Sequence, residues 1–226
     1  MRILLVTATS IEIAPLLARL RYVDDRGQRC KAYSHAGHDV DVLVTGVGVV
    51  ATAAWTSHVL TECRYDLALN IGVCGSFDRL LPLAGVVHVV SDRLADLGAE
   101  DGDAFLTVQE LGLLGDAEFP FTAGQLVNRV PPANSALRAL PAVHGVTVST
   151  VHGNERSIAD VAQRFKPQVE SMEGAAFMYA CAIHGAAFAQ VRAISNVVEK
   201  RNRASWKLDD AIASLTDTTL AILDCA

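Results

Sequence analysis

Residues 168–196, QVESMEGAAFMYACAIHGAAFAQVRAISN, constrain the fold of this chain more than any other stretch. They read as strand, helix, strand. Gln168–Met172 is a short extended run. Glu173 opens a helix of small residues, Gly174 to about His184. Ala187–Ile194 is a second apolar strand, expected to stop at Ser195-Asn196. In an open parallel sheet such strand ends lie together on one rim, and ligands bind there. Glu173 and Asn196 are therefore the first candidates for a site.

The rest of the chain repeats the alternation. Arg2–Thr7 is a β-branched apolar run, a buried strand by composition. After the turn Thr7–Ser10, Ile11–Leu20 has helical period, with Pro15 tolerable only near the first turn. That places Glu12 at the strand's carboxyl rim. Arg21–Gly27 reads as a polar turn. Cys30–His35 and Asp39–Thr45 read as strands joined at Gly37-His38. Gly46-Val-Gly48 leads into an Ala-rich helix, Val49–Thr61. Asp66–Ile71 is a strand followed by Gly72 and Gly75, where backbone N–H groups can approach a ligand closely. Gly85–Val90 and Val146–Val151 are strands, Ser157–Phe165 is a helix, and Trp206–Leu223 is a closing helix. Asp92–Ala133 is weakly patterned, which suits a functional loop, a lid or an interface element. The alternation predicts an α/β fold of three layers, α/β/α, around a central twisted mixed sheet. With no internal repeat, low-complexity tract or linker, residues 1–226 are expected to form one domain.

Bulk properties narrow the function. The net charge of −6 and the absence of a basic run argue against a nucleic-acid partner. No run of about 18 apolar residues exists, so no membrane span is expected. The opening MRILLVTA is too short for a signal peptide and reads as a strand. The five cysteines, an odd number with no C-x-x-C spacing, suit reduced thiols in a cytoplasmic protein. A small-molecule substrate fits best. The 51% apolar composition, with the weakly patterned stretch, suggests a homo-oligomer, a dimer or higher.

Each candidate site has a plainer reading. Gly46-Val-Gly48-Val-Val-Ala51 matches the dinucleotide motif G-x-G-x-x-A, but it follows a late strand and no acid ends a strand about 20 residues on. A tight turn exposing backbone N–H groups is preferred, and no cofactor is expected. Asp96-Leu-Gly-Ala-Glu100-Asp101-Gly-Asp103 lacks EF-hand spacing and reads as a solvated turn. The histidines include no H-x-x-x-H pair, so no metal is expected. His152 reads as a surface or capping residue before it reads as a ligand contact. Glu12 and Glu173 are placed as first-turn acids favoured by the helix dipole, and Asn196 as a turn residue or N-cap. The functional reading gains because three polar residues end three separate strands. For Glu173 it also gains from the flanking Met172 and the small residues after it.

These residues resemble a known family. Val169–Ala176, VESMEGAA, followed by Val191–Asn196, VRAISN, is similar to the purine nucleosidase and nucleoside phosphorylase superfamily. Glu12, Thr45-Gly-Val-Gly48 and Asn70-Ile-Gly72-Val-Cys-Gly75 fall in the family's order, and the resemblance covers nearly the whole chain. Asp96–Asp101, Val198–Arg201 and Trp206 favour one nucleosidase branch. The resemblance implies a nucleoside phosphorylase-like fold and a role for each matching residue. Glu12 would hold and activate the attacking water. Met172 would rest on the ribose, and Glu173 would accept from its hydroxyls. Asn196, supported by Ser195, would meet the purine. Val151 and His152 would lie along the base, and Val73, Cys74 and Gly75 would line the ribose or water side. Adenine-specific nucleosidases of this family carry Asp where Asn196 stands. A carboxamide donates to O6 of a 6-oxopurine, so Asn196 implies that base. The first turn, TATSIE, offers no cation for a phosphate nucleophile, which implies hydrolysis. An adenine nucleosidase, a 6-oxopurine phosphorylase and a non-catalytic nucleoside-binding module are the rival readings.

Overall fold

Alternation fixes the position of the first strand. Ile3 and Leu5 face one way, Leu4 and Val6 the other, and all four are fully buried. A strand apolar on both faces belongs inside a sheet covered by helices on both sides. The computed structural model, which describes residues 1–226, has that arrangement.

The elements run β1 (Arg2–Thr7), α1 (Ser10–Leu17), β2 (Arg21–Asp25), β3 (Cys30–His35), β4 (His38–Val44), α2 (Val49–Glu62) and β5 (Leu67–Ser76). Then follow β6 (Val86–Asp92), β7 (Gly98–Asp101), β8 (Ala104–Thr107), β9 (Leu126–Val127), α3 (Ser135–Arg138) and β10 (Ala142–Thr147). The chain ends with α4 (Glu155–Phe165), β11 (Val169–Ser171), α5 (Gly174–His184), β12 (Phe188–Val197) and α6 (Leu208–Asp224).

One mixed sheet runs in the order β11-β10-β6-β12-β5-β1-β4-β3-β2, with β9 added beside β6. The strands from β12 through β5 and β1 to β4 are parallel, whereas β6 runs antiparallel to β12 and β3 to β4. β11 pairs with both β10 and β5, so that half of the sheet curls closed on itself. Cys74, Val87, Val89, Val143, Val169 and Ile194 fill the closed part. On one face, Ile3 and Leu5 join Ile13 and Leu16 of α1 and Leu215 and Leu223 of α6. On the other, Leu4 and Val6 join Val59 of α2 and Phe177 and Met178 of α5.

Several boundaries differ from expectation, each for a tertiary reason. Arg21–Asp25 is an edge strand, not a turn. It is exposed throughout and held by its ladder to β3, so its sequence carries no burial signal. β5 does not end at Ile71. It continues through Gly72 and Gly75 to Ser76, because β12 and β11 supply ladder partners. β12 likewise passes Ser195 and Asn196 to Val197, with a register shift between Ile194 and Asn196. β10 spans Ala142–Thr147, earlier than Val146–Val151, and leaves Val151 in irregular backbone. α1 stops at Leu17, short of Leu20, and accommodates Pro15 in its second turn. Asp96–Asp103 enters a hairpin of β7 and β8 that turns at Gly102, with φ +62°. No helix is long and apolar enough to cross a membrane.

Candidate active site

Glu12 is built into the first turn of α1. Thr9 caps that helix, and Glu12, three residues on, returns its carboxylate to the cap. Oε2 accepts from Thr9 N at 3.0 Å and from Thr9 Oγ1 at 2.8 Å. Oε1 accepts from Val73 N, in β5, at 3.0 Å. The carboxylate is thereby aimed across the carboxyl ends of β1 and β5, where Val73 stands beside it.

Glu173 sits at the start of α5 and is 5% exposed. The Gly46–Gly48 turn reaches it from another strand end: Gly48 N donates to Glu173 Oε1 at 3.1 Å. Gly46 and Gly48 have φ of +92° and +94°, a region that favours glycine. That turn therefore serves the site through one backbone N–H.

Between the two acids lies Arg192 of β12, 1% exposed. Its Nη1 is 3.6 Å from Glu173 Oε2. A Cβ on Gly72 would meet Arg192 Nη1 at 2.5 Å and Glu12 Oε1 at 2.9 Å, so both groups converge over a residue that must lack a side chain. Burial pushes the Glu173 carboxyl above its ordinary range. The Arg192 charge and the Gly48 N–H oppose this, and the Glu12 charge adds to it. The two acids thus feel one another while a cation holds them in one field.

Arg192 is itself held. Nη2 donates to Asn70 Oδ1, and Nε donates to Gln190 Oε1 at 3.1 Å. Gln190 Nε2 donates to Asp92 Oδ2 at 3.0 Å, and Thr147 Oγ1 donates to Asp92 Oδ1 at 2.9 Å. Thr147 Oγ1 also accepts from Ala175 N, in the first turn of α5. The buried chain Asp92–Gln190–Arg192 ties the floor of the site to the helix that carries Glu173. A Cβ on Gly174 would collide with Asp92 and Gln190, which explains the glycine after Glu173.

Asn196 stands beside Gly75 in the ladder. Ser195 Oγ lies 2.9 Å from Asn196 Oδ1 and 3.2 Å from the Cys74 carbonyl. Asn196 Nδ2 donates to the Val197 carbonyl at 2.9 Å. The amide keeps one N–H and one oxygen lone pair for a ligand. A cleft beside it is lined by Gly75, Val151, His152, Glu170 and Arg201, with Trp206. Arg201 and Arg203 lie over the Trp206 ring, 5.4 and 5.8 Å from its centroid.

The structure brings Glu12, Val73, Met172 and Glu173 to one part of the rim, and Gly75, Val151, His152, Ser195 and Asn196 to the adjoining part. Cys74 differs: its thiol packs inside the closed part of the sheet, and burial pushes its pKa up to about 12. Only its backbone faces Ser195. Three buried polar residues beside the candidates were not singled out from the sequence: Arg192, Asp92 and Glu170. The first two lie within apolar strands. A charged residue in an otherwise apolar run is the mark that would have found Arg192. No group of three or more His, Cys, Asp and Glu side chains is arranged to hold a metal.

Comparison with known proteins gives the family and the fold. The family described as Phosphorylase superfamily matches residues 2–224. Futalosine hydrolase of Streptomyces coelicolor is 35% identical over 188 residues, 78% of this chain and 75% of that protein. Futalosine hydrolase of Acidothermus cellulolyticus is 30% identical over 226 residues, 97% of this chain and 89% of its own length. Among solved structures, a 5′-methylthioadenosine/S-adenosylhomocysteine nucleosidase from Colwellia psychrerythraea in complex with adenine superposes with a TM-score of 0.79 at 20% identity, covering 99% of this chain and 94% of the other. Futalosine hydrolase of Helicobacter pylori superposes with a TM-score of 0.80 at 16% identity, covering 99% and 97%. These two likenesses establish the fold. The profile match across residues 2–224, with the sequence relatives, assigns the family: the chain belongs to the phosphorylase superfamily.

Proposed function

We propose that this chain is a futalosine hydrolase. It cuts the N-glycosidic bond of futalosine with water and releases hypoxanthine and dehypoxanthine futalosine, a step of menaquinone biosynthesis by the futalosine route. The observation that carries the hydrolytic reading is the pair of acids, Glu12 and Glu173, fixed on one rim with the Arg192 guanidinium between them. The relatives at 35% and 30% identity support the choice of substrate.

The reaction is dissociative. As the bond stretches, the ribose gains positive charge, which an anionic rim favours. Glu173 accepts from the ribose hydroxyls, with Met172 against the sugar. Glu12 takes a proton from the water that adds at C1′. Asn196 donates to O6 of the departing base; a water delivers the proton to N7, since a carboxamide cannot, and the Asn196 oxygen then accepts from that N7–H. Ser195 orients the amide, while Val73 and the backbone of Cys74 and Gly75 flank the sugar and water. Val151 and His152 lie along the base. Water is preferred over phosphate for a reason of charge. Arg192 is already engaged by Asn70, Gln190 and Glu173, and the Glu12 carboxylate occupies the nucleophile's approach. The protein acts without cofactor or metal, in the cytoplasm, as a homo-oligomer, with no nucleic-acid or membrane partner.

The test is chromatography of futalosine incubated with the purified protein, with and without phosphate. Hypoxanthine is expected at the same rate in both. Release only with phosphate makes it a phosphorylase. Intact futalosine together with cleavage of methylthioadenosine makes it an adenine nucleosidase.

A further inference from the structure

The cleft beside Asn196 holds a buried acid that no step above uses. Glu170 of β11 is 4% exposed, and a carboxylate so placed requires partners. It finds both in one residue. The His152 backbone N–H donates to Oε1 at 2.9 Å, and His152 Nδ1 lies against Oε2.

The register explains why this pair faces Asn196. Gly75 of β5 is the ladder partner of Asn196 on one side and of Glu170 on the other. Ladder partners project on the same face, so Asn196 and Glu170 stand on one face two strand spacings apart, roughly 10 Å. Between them is a residue with no side chain. A Cβ there would come within 2.8 Å of Val198 Cγ2 and 3.2 Å of Asn196 Nδ2. Val198 covers Gly75 itself, so a planar base enters the cleft beside it, with Asn196 on one side and the His152–Glu170 pair on the other.

Glu170 also fixes the tautomer of the ring. In the tautomer that pairs with Glu170, Nδ1 gives its hydrogen to the carboxylate and Nε2 is the ring's acceptor. No protein group hydrogen-bonds Nε2; the ring's one hydrogen-bond partner is Glu170. A 6-oxopurine carries a hydrogen on N1, whereas a 6-aminopurine carries a lone pair there. An acceptor at that edge is matched by the first and opposed by the second.

We propose that His152, oriented by Glu170, accepts the N1–H of the 6-oxopurine and is a second base-selecting residue beside Asn196. His152 touches the base, and Glu170 acts through it as a positioning residue. This inference rests on the 6-oxopurine reading above, and its test is independent of turnover.

The same geometry makes Glu170→Gln informative. The His152 backbone N–H holds the amide oxygen at the Oε1 position, so the amide NH2 faces Nδ1. Nδ1 must then accept, and Nε2 becomes the N–H donor. The variant's preference should move toward a base with a lone pair on N1. Calorimetric titration of the full chain with hypoxanthine, 1-methylhypoxanthine and adenine reads this directly. The unaltered protein is expected to bind hypoxanthine ~10-fold or more tighter than 1-methylhypoxanthine, the order of a lost hydrogen bond with its partner left unpaired. His152→Leu should bring the two within about twofold, at the level of a contact without a hydrogen bond. Glu170→Gln should weaken hypoxanthine and strengthen adenine. The proposal is overturned if the unaltered protein binds both hypoxanthines alike or neither. It is equally overturned if His152→Leu keeps the discrimination, or if Glu170→Gln melts like the parent but leaves the base preference unchanged. Failure of the hydrolase reading looks different: futalosine stays intact while the bases are still told apart through N1.

Discussion

At the scale of single residues, the proposed reaction gives Glu12 a second job beside its capping box, and one substitution separates the two. Its carboxylate closes the capping box with Thr9 and also faces the reacting end of the site through its bond from Val73. Glutamine serves a capping box as glutamate does, but it cannot take a proton from water. Glu12→Gln keeps the capping box but sets its amide nitrogen against the Val73 N–H, so it is expected to fold with a modestly lower melting temperature and to slow hypoxanthine release by roughly 10²–10⁴-fold, the usual worth of a general base. Initial rates beside a thermal melt check both halves. A folded variant at full rate would remove Glu12 from the mechanism. The contrast with Arg192 shows what a sequence reveals of such a site. Glu12, Glu173 and Asn196 stand at strand ends, where a polar residue after an apolar run is conspicuous. Arg192 lies inside an apolar strand, and its place between two acids depends on Gly72 in the neighbouring strand. Glu170 is of the same kind: its partner, His152, lies 18 residues earlier and meets it only in the fold.

At the scale of elements, the longer helices and most inner strands were legible, because burial on one or both faces writes a period into the sequence, whereas the short α3 was not expected and β10 lies four residues earlier than expected. Strand ends were not legible. β5 and β12 extend past their apolar runs, since each continues as long as the other offers ladder bonds, and β2 pairs without burying anything. The closing of β11 onto β5 is a contact between segments about 90 residues apart, in which Val169 and Glu170 pair with Ser76 and Gly75, residues with no pattern of their own. The buried chain from Asp92 to Arg192 joins β6 to β12, and it leads to a prediction about stability. Burial raises the Asp92 carboxyl from 3.8 to about 6, with the Gln190 and Thr147 hydrogen bonds and the Arg192 charge opposing. Below about pH 4 both folded and unfolded chains keep that proton. Between about 4 and 6 the unfolded chain gives it up first, so stability falls as pH rises through this window. Above 6 the loss is complete, at about 3 kcal/mol for a shift of two units. Asp92→Asn removes this slope. Urea unfolding at pH 4.5 and 6.5 should show the parent losing stability relative to the variant as pH increases. The variant carries a separate, pH-independent cost, because its amide nitrogen opposes the Gln190 donor. If the gap between the two proteins is the same at both pH values, Asp92 is not the titrating group.

At the scale of the whole molecule, the outer surface of the α2–α5 pair exposes several large apolar side chains. Val50 is 80% exposed on α2, and Tyr179 and Ile183 are exposed on α5. Phe121 leans against Tyr179, and Leu113 and Phe119, in the weakly patterned stretch before it, are exposed as well. The same two helices carry the site at their first turns, through Gly48 and Glu173. Scattered apolar residues are normal on a surface, but several on one helix pair and the adjoining loop suit the proposed assembly of copies. A second copy seated there would bury these side chains and press on the helices that position Glu173. Sedimentation equilibrium is expected to give at least twice the chain mass. Replacing Val50 and Ile183 together by aspartate should yield monomers, since two carboxylates cannot be buried against an apolar partner without cost. Neither residue touches the acids or the base cleft directly, so a fall in hypoxanthine release with monomer formation, restored at high protein concentration, would tie assembly to the order of the rim. A parent protein that sediments as a monomer would refute the interface, and the exposed helix pair would then need another explanation.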